Sequence, residues 1–304
     1  MKDLAYYNGK ITSIDDMMIP ANDRGFYFGD GIYEAAMVFD YKIYALQDHL
    51  DRMVDIVVEQ CEQDGLEPMS INPVVGECND SRINQIQKRV VGADEVRQAF
   101  ASASEEFEEG DVGAGAGTIC YGLKGGIGSA SRVIRIGEKE YTIGVLVQSN
   151  FGATEDFVLN GESVGAKILD WKQEKDDMAA SEEDKGSIMS ILATDLPLTS
   201  RQLRRILRRT GVGIARTGGY TGHGSGEVMI GFTTANRIPS GAEEELLQIQ
   251  AIPEHVINRA FLAAAEAEQE AILNSMTAAE RTRGQAGELY YSLSEYLEDQ
   301  DSKQ

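Results

Sequence analysis

The sequence predicts an α+β fold, a layered sandwich of sheets and helices, on three observations. Strand-like and helix-like stretches come in blocks, with paired strands, then helices, then strands again, which disfavours an alternating, doubly wound parallel sheet. Glycine is abundant and proline scarce, 32 against 6, and the glycines cluster at Gly110–Gly128 and Gly211–Gly226, as tight turns and close backbone approaches require. A length of 304 residues with 42% hydrophobic content is enough for a real core in one large or two ordinary domains.

Residues 4–14 read as two strands about an Asn8-Gly9 turn, and 23–46 as aromatic and β-branched strand runs about a glycine turn. Residues 46–63 have helical periodicity, with Leu50, Met53, Val54 and Val57 on one face. A short extended piece is predicted at 73–80, a helix at 92–104 with Asp94 near its start, and an acidic connector at 105–111. Residues 132–136 and 141–150 form a predicted strand pair across Gly137-Glu138, and 157–165 a short strand with an Asn-Gly turn. The polar stretch 168–186 reads as an exposed loop. Residues 187–195 read as a buried strand, 199–217 as a helix capped by Thr199 or Ser200, and 227–236 as a strand. One long helix or two occupy 253–283, and the polar tail carries a short last helix.

Charge and composition narrow the function classes. The formal net charge of -22 opposes binding to a phosphate backbone or an anionic membrane, and no apolar run approaches a bilayer span. Three cysteines without a CxxC pair, and a start without signal-peptide character, point to a cytoplasmic protein with neither disulfide frame nor zinc site. No His, Cys and acid cluster has metal-ligand spacing, so no metal or cofactor is expected.

The segment GGYTGHGSGEVMIGFTTAN (218–236) carries the chemistry. Ser225 stands between two glycines just before a predicted core strand. Gly224 lets a strained peptide form, and strain there favours attack of the Ser225 hydroxyl on the preceding carbonyl. Hydrolysis of the resulting ester would leave Ser225 as a new N-terminus whose α-amine serves as base for its own hydroxyl. From spacing alone, G-S-G also fits an ordinary glycine-rich turn before a strand. His223 reads as a spectator. The five arginines of 201–209 read as a basic helix face in an acidic protein.

Residues 70–283 resemble the self-processing aminopeptidases of the D-aminopeptidase (L-aminopeptidase/D-esterase) and β-peptidyl aminopeptidase type. The matching pieces come in family order: 72–84, 109–133, 141–152, 190–219, 222–236 and 270–280. The resemblance implies an αββα sandwich of the N-terminal-nucleophile hydrolase kind, with Ser225 as nucleophile released by cleavage after Gly224. It implies Asn150 near the oxyanion or the cleaved carbonyl, Tyr121 as a site-lining hydroxyl, and Glu270 as the assisting carboxylate. The family places a hydroxyl where this chain has Glu268, and a second carboxylate there would raise its neighbour's pKa if both were buried. The two glutamates, two residues apart, also fit a solvated helix face, and Asn150 and Tyr121 fit structural roles. Small peptides, amino-acid amides or esters are the implied substrates, with a homo-oligomer as the implied assembly.

The first 56 residues resemble something else. Residues 6–53, with DRGFYFGDGIYE (23–34) and HLDRM (49–53), are similar to the start of class IV pyridoxal-phosphate aminotransferases. That likeness implies Arg52 as a phosphate ligand and Tyr33 as a pocket residue, with Lys167 the nearest candidate for a Schiff base. The sequence is therefore divided at 1–57 and 58–304. The leading reading is a self-processing serine aminopeptidase; the alternatives are an aminotransferase and an inactive hybrid of the two.

Overall fold

The computed structural model describes residues 4–7, 10–13, 38–39, 42–43, 56–66, 76–88, 90–175, 186–237, 246 and 248–303. They fall in two compact units, Met1–Val75 with Ala93–Arg97, and Gly76–Gly92 with Gln98–Gln304. In the first unit, β1 (Leu4–Tyr7) pairs antiparallel with β2 (Lys10–Ser13), and β3 (Val38–Phe39) with β4 (Lys42–Ile43). Both hairpins fall where strands were predicted. Residues 56–63 are helical. Glu59 there takes the Arg97 guanidinium at 3.0 and 3.1 Å, which holds the carboxyl below its ordinary pKa. Arg97 belongs to helix α1 (Ala93–Ala101). Tyr33 and Arg52 lie outside the described residues.

The second unit is built on one four-stranded sheet. Its strands are β7 (Gly126–Ile136), β8 (Lys139–Asn150), β11 (Ser187–Thr194) and β12 (Gly226–Thr233), in the order β12-β11-β8-β7. All neighbours are antiparallel except β11 and β12, which run parallel. Small hairpins precede, interrupt and follow it: β5 (Ile119–Cys120) with β6 (Leu123–Lys124), β9 (Val158–Leu159) with β10 (Glu162–Ser163), and β13 (Thr282–Arg283) with β14 (Leu289–Tyr290). The predicted Asn-Gly turn is Asn160-Gly161, both at positive φ as a tight hairpin requires.

Period-two alternation gives the sheet two faces. Ile143, Val145 and Val147 of β8 and Ile188 and Leu192 of β11 are buried on one of them. That face is covered by helix α5 (Asn258–Thr277), with α3 (Ser200–Leu207) and α4 (Thr210–Arg216) beside it. α5 is wrapped in alanine where it meets the sheet, Ala260, Ala264, Ala267 and Ala271 being fully buried. Small side chains on both sides let helix and sheet close tightly: a Cβ on Gly128 would lie 2.1 Å from the Ala271 carbonyl oxygen. The opposite face carries Val133, Ile191, Val228 and Phe232, all exposed. At its Asn150 end it is covered by the 76–84 segment, where Gly76 lies against Met189, and Cys78 Sγ approaches the Ser187 carbonyl at 3.6 Å. Burial pushes the Cys78 thiol up to about 12.

The structure departs from the predicted elements in three places. Residues 165–174 form helix α2 (Gly165–Glu174) where 168–186 was expected to be an exposed loop. Ile168 and Trp171, three apart, are buried, and Trp171 meets Tyr291 and Tyr296 edge-on at 5.0 and 5.4 Å. Asp170 between them and the charged residues that follow Trp171 mask that short apolar face in the sequence. Residues 176–185 lie outside the described set. Secondly, β7 begins at Gly126 and not at Arg132, because its glycines serve close packing and not a turn, Gly126 against the Gly110 backbone and Gly128 against α5. Thirdly, the helix expected over 199–217 is two, α3 and α4, broken at Arg208-Arg209. Thr199 caps α3 in a capping box with Gln202. The last helix, α6 (Leu293–Ser302), is likewise capped by Ser292 with Glu295. The fold is α+β, as the block order of strands and helices indicated.

Gly128→Ala should lower stability by about 1–3 kcal/mol, since its methyl has no room against α5. Urea unfolding checks this, with a lower midpoint and an unchanged slope.

Candidate active site

The start of β12 is held by the strand beside it. Gly226 N donates to the Gly186 carbonyl at 3.1 Å, and from there Ser187 faces Gly226 and Thr194 faces Thr233. Gly186 is required by close approach, because a Cβ there would sit 1.9 Å from the Asn150 carbonyl oxygen. Ser225 precedes the strand by one residue. Its N–H donates to the Gly222 carbonyl at 2.9 Å, closing the turn 222–225. Its hydroxyl donates to Glu227 Oε1 at 2.6 Å. Residues two apart on an extended chain share a face, which places this carboxylate beside the hydroxyl. Ser225 and Glu227 are both half-buried, and His223 and Gly224 are exposed.

The other candidates are distributed around this end of the sheet and beneath it. Asn150 lies in the same register row, since Ser187 pairs with both Asn150 and Gly226. Two strand spacings put it roughly 10 Å from Gly226. Its side chain is buried and bridges two segments, accepting from Ile119 N at 2.9 Å and donating to the Asn79 carbonyl at 3.1 Å. Tyr121 is fully buried at φ 50°, stacks on Phe157 at 4.6 Å, and meets Thr217 Oγ1 at 2.9 Å. Its hydroxyl is thus part of the core that anchors the chain ahead of Gly218.

The two glutamates of α5 part company. Glu268 points into the core, 0% exposed, and accepts from Ser190 Oγ at 2.6 Å, while its Oε1 has no hydrogen-bond partner. Burial pushes its carboxyl up to about 7, only partly offset by the Ser190 hydrogen bond. Ser190 faces Met229, which lies four residues beyond Ser225, so Glu268 sits roughly 13 Å along the strand from the serine. Glu270 turns outward, half-exposed, and pairs with Arg132 Nη1 at 2.5 Å, while Glu266 takes the same guanidinium at 3.3 Å. The structure therefore brings Ser225 and Gly224 together with Glu227, puts Asn150 in the neighbouring row, and sets Tyr121, Glu268 and Glu270 elsewhere.

Two features escaped sequence reading. The Ser225–Glu227 contact follows from the period-two rule applied to S-G-E, a signal present in the sequence. Lys124 is buried with its Nζ bonded to the Gly115 and Gly125 carbonyls at 2.7 and 2.8 Å. Desolvation lowers it to about 8. It ties the first glycine cluster to the edge of the sheet, and no sequence period marks it. Lys167 is exposed and 3.6 Å from Glu162. Of the basic stretch, Arg201 and Arg205 pair with Glu254, and Arg209 lies over the Phe261 ring at 4.0 Å. Among the described residues, no group of three or more His, Cys, Asp or Glu could hold a metal ion, and no helix is long and apolar enough to cross a membrane.

Comparison with known proteins places Ser225 within a region that matches a known family. Residues 42–290 match the profile of peptidase family S58. The chain belongs to that family. The S58 chain is 36% identical over 220 residues to the β-peptidyl aminopeptidase BapA of Sphingosinicella xenopeptidilytica, covering 70% of this chain and 55% of that protein. It thus spans little more than half the length of this relative. Among solved structures, the PH0078 protein of Pyrococcus horikoshii superposes with a TM-score of 0.73 at 43% identity, over 84% of this chain and 69% of the other. The L-aminopeptidase D-Ala-esterase/amidase of Ochrobactrum anthropi, described as a variant of the Ntn hydrolase fold, gives 0.72 at 31% identity, over 85% and 70%. The S58 chain therefore has the layered fold of the N-terminal-nucleophile hydrolases. Its N-terminal part is separately similar to D-alanine aminotransferase of Staphylococcus epidermidis, 35% identical over 49 residues, 16% of this chain and 17% of that protein.

The buried Glu268 makes a pH prediction. Its folded pKa of about 7 lies above the ordinary 4.5, so the folded state holds a proton that the unfolded chain has released. The stability it gives is full below pH 4.5 and falls as pH rises through 7, by on the order of 3 kcal/mol. Unfolding free energies of the native chain and Glu268→Gln should diverge across that window, with Gln lacking the decline.

Proposed function

We propose that this chain is a self-processing N-terminal-serine hydrolase. It cleaves its own peptide between Gly224 and Ser225, and the freed Ser225 then hydrolyses small peptides, amino-acid amides or esters through an acyl-enzyme. The observation that carries the reading is the placement of Ser225 within the S58 region. It lies in a glycine turn one residue ahead of a paired strand, with its hydroxyl given to a carboxylate. A hydroxyl so held has a fixed direction and a ready proton acceptor, the two requirements of an activated serine. The names of two of the relatives support the substrate class, since both are called aminopeptidases and one also an esterase/amidase. The acidic balance of the chain favours substrates with a free amine.

The remaining parts of the reading follow the family. Asn150 stands near the oxyanion or the cleaved carbonyl, while Tyr121, Glu268 and Glu270, held by Thr217, Ser190 and Arg132, shape the core and the α5 face and do not touch Ser225. Residues 1–57 form a separate aminotransferase-like segment ahead of a hydrolase domain over 58–304. The enzyme works as a homo-oligomer in the cytoplasm, without metal or cofactor.

Intact-mass measurement of the purified protein tests the central claim. Fragments 1–224 and 225–304 are expected, and Ser225→Ala should remain one chain. Hydrolysis of alanyl p-nitroanilide by the native protein, reduced on the order of 10⁴-fold or more in Ser225→Ala, is the companion result. A native chain that stays whole while hydrolysing the amide would overturn the mechanism.

A further inference from the structure

With the 224–225 peptide intact, Ser225 has no free amine. Its nitrogen is an amide N–H that donates to the Gly222 carbonyl at 2.9 Å, so it cannot take a proton from the hydroxyl. Self-cleavage therefore needs a base different from the one that serves turnover. Glu268 is committed to Ser190, and Glu270 to Arg132, each on α5. Asn150 is an amide, bonded on both sides of its head group, and cannot accept a proton at neutral pH. Among the described residues, the carboxylate in contact with Ser225 Oγ is Glu227, at 2.6 Å.

We propose that Glu227 is the general base of the self-cleavage step, a role that rests on Ser225 being the cleaving nucleophile. Glu227 Oε1 takes the proton of Ser225 Oγ as that oxygen attacks the Gly224 carbonyl carbon. The Oγ–C bond forms, the C–N bond between Gly224 and Ser225 breaks, and Glu227 returns the proton to the departing nitrogen. The products are an ester linking Gly224 to Ser225 Oγ and a free amine on Ser225. Water then adds to the ester carbon and the Oγ–C bond breaks. One proton of the water returns to Oγ, and Gly224 ends as a carboxylate after loss of the other. No oxidant, metal or further reactant is needed.

The strand explains why this geometry is stable before cleavage. Glu227 is the second residue of β12 and faces Ile188 of β11 across a parallel pair. Its backbone is held by the sheet, while the turn 222–225 brings the serine to it. The base is therefore positioned by the strand, and the nucleophile by the loop.

A cell-free synthesis pulse, followed by intact masses over time, measures conversion of the full chain to 1–224 and 225–304. Glu227→Gln, which keeps the size and one acceptor oxygen but cannot take the proton, should slow conversion about 10²-fold or more. Glu227→Ala should be equally slow and should recover in proportion to added formate, a response that a packing defect would not give. Matching circular dichroism spectra check that the variants fold. Should Gln disturb folding, the formate response of the Ala variant decides the question. If the native chain cleaves, while Glu227→Gln keeps the native rate or Glu227→Ala ignores formate, the assignment to Glu227 is overturned and the self-cleavage reading stands. If the native chain does not cleave at all, the self-cleavage reading fails first, and this assignment with it.

Discussion

Every residue of β11 is paired on both sides. Ser187–Thr194 meets Asn150–Ile143 of β8 on one flank and Gly226–Thr233 of β12 on the other. That double register is the constraint on which the rest depends. A slip of one residue would turn Ser190 away from Glu268, carry Ile188 and Leu192 out of the core, and reverse the face on which Glu227 receives the Ser225 hydroxyl. The register begins at Gly186, which fits only because it has no side chain to strike the Asn150 backbone. A single glycine thus fixes where the neighbouring strand, and the serine ahead of it, must start.

The helix-covered face mixes apolar contact with polar contact in a consistent pattern. The alanines of α5 and Gly128 of β7 bring helix and sheet together. In the space they leave, Ser149 meets Ser275 at 2.6 Å and Ser190 meets Glu268 at 2.6 Å. A carboxylate in such a place is costly when ionised, since one oxygen has no partner, and its proton affinity rises accordingly. A hydroxyl at this position would have no such cost. Glu268 is therefore governed by core electrostatics, with its Ser190 partner in the row of Met229 and not of Ser225. Glu270, by contrast, is stabilised in the open by Arg132. Two acids two residues apart on one helix meet different solvents, as the helical turn requires.

Much of the architecture was legible in the sequence. The run YTIGVLVQSN marked β8 as a strand, and the cap at Thr199 or Ser200 marked the start of α3. The Asn160-Gly161 turn was readable because only certain residues tolerate positive φ. Helix α2 was hidden because two buried residues, Ile168 and Trp171, make too narrow a stripe among charges. The front of β7 was hidden because glycine speaks of turns in a sequence and of close packing in a fold. At the site, Ser225 stood out through its neighbours, whereas Glu227 required the strand's period to be carried one step beyond the strand's end.

What the sequence determined by itself is local: which stretches extend, which coil, where caps and tight turns stand, and that a serine between glycines precedes a strand. These follow from the conformational limits of each residue and its near neighbours. The tertiary structure alone decided which acids meet which hydroxyls. Glu227, Glu268 and Glu270 are the same residue type, yet one faces Ser225, one is buried against Ser190, and one is paired with Arg132. That choice depends on strand register and helix rotation, which are set by contacts among segments far apart in the chain.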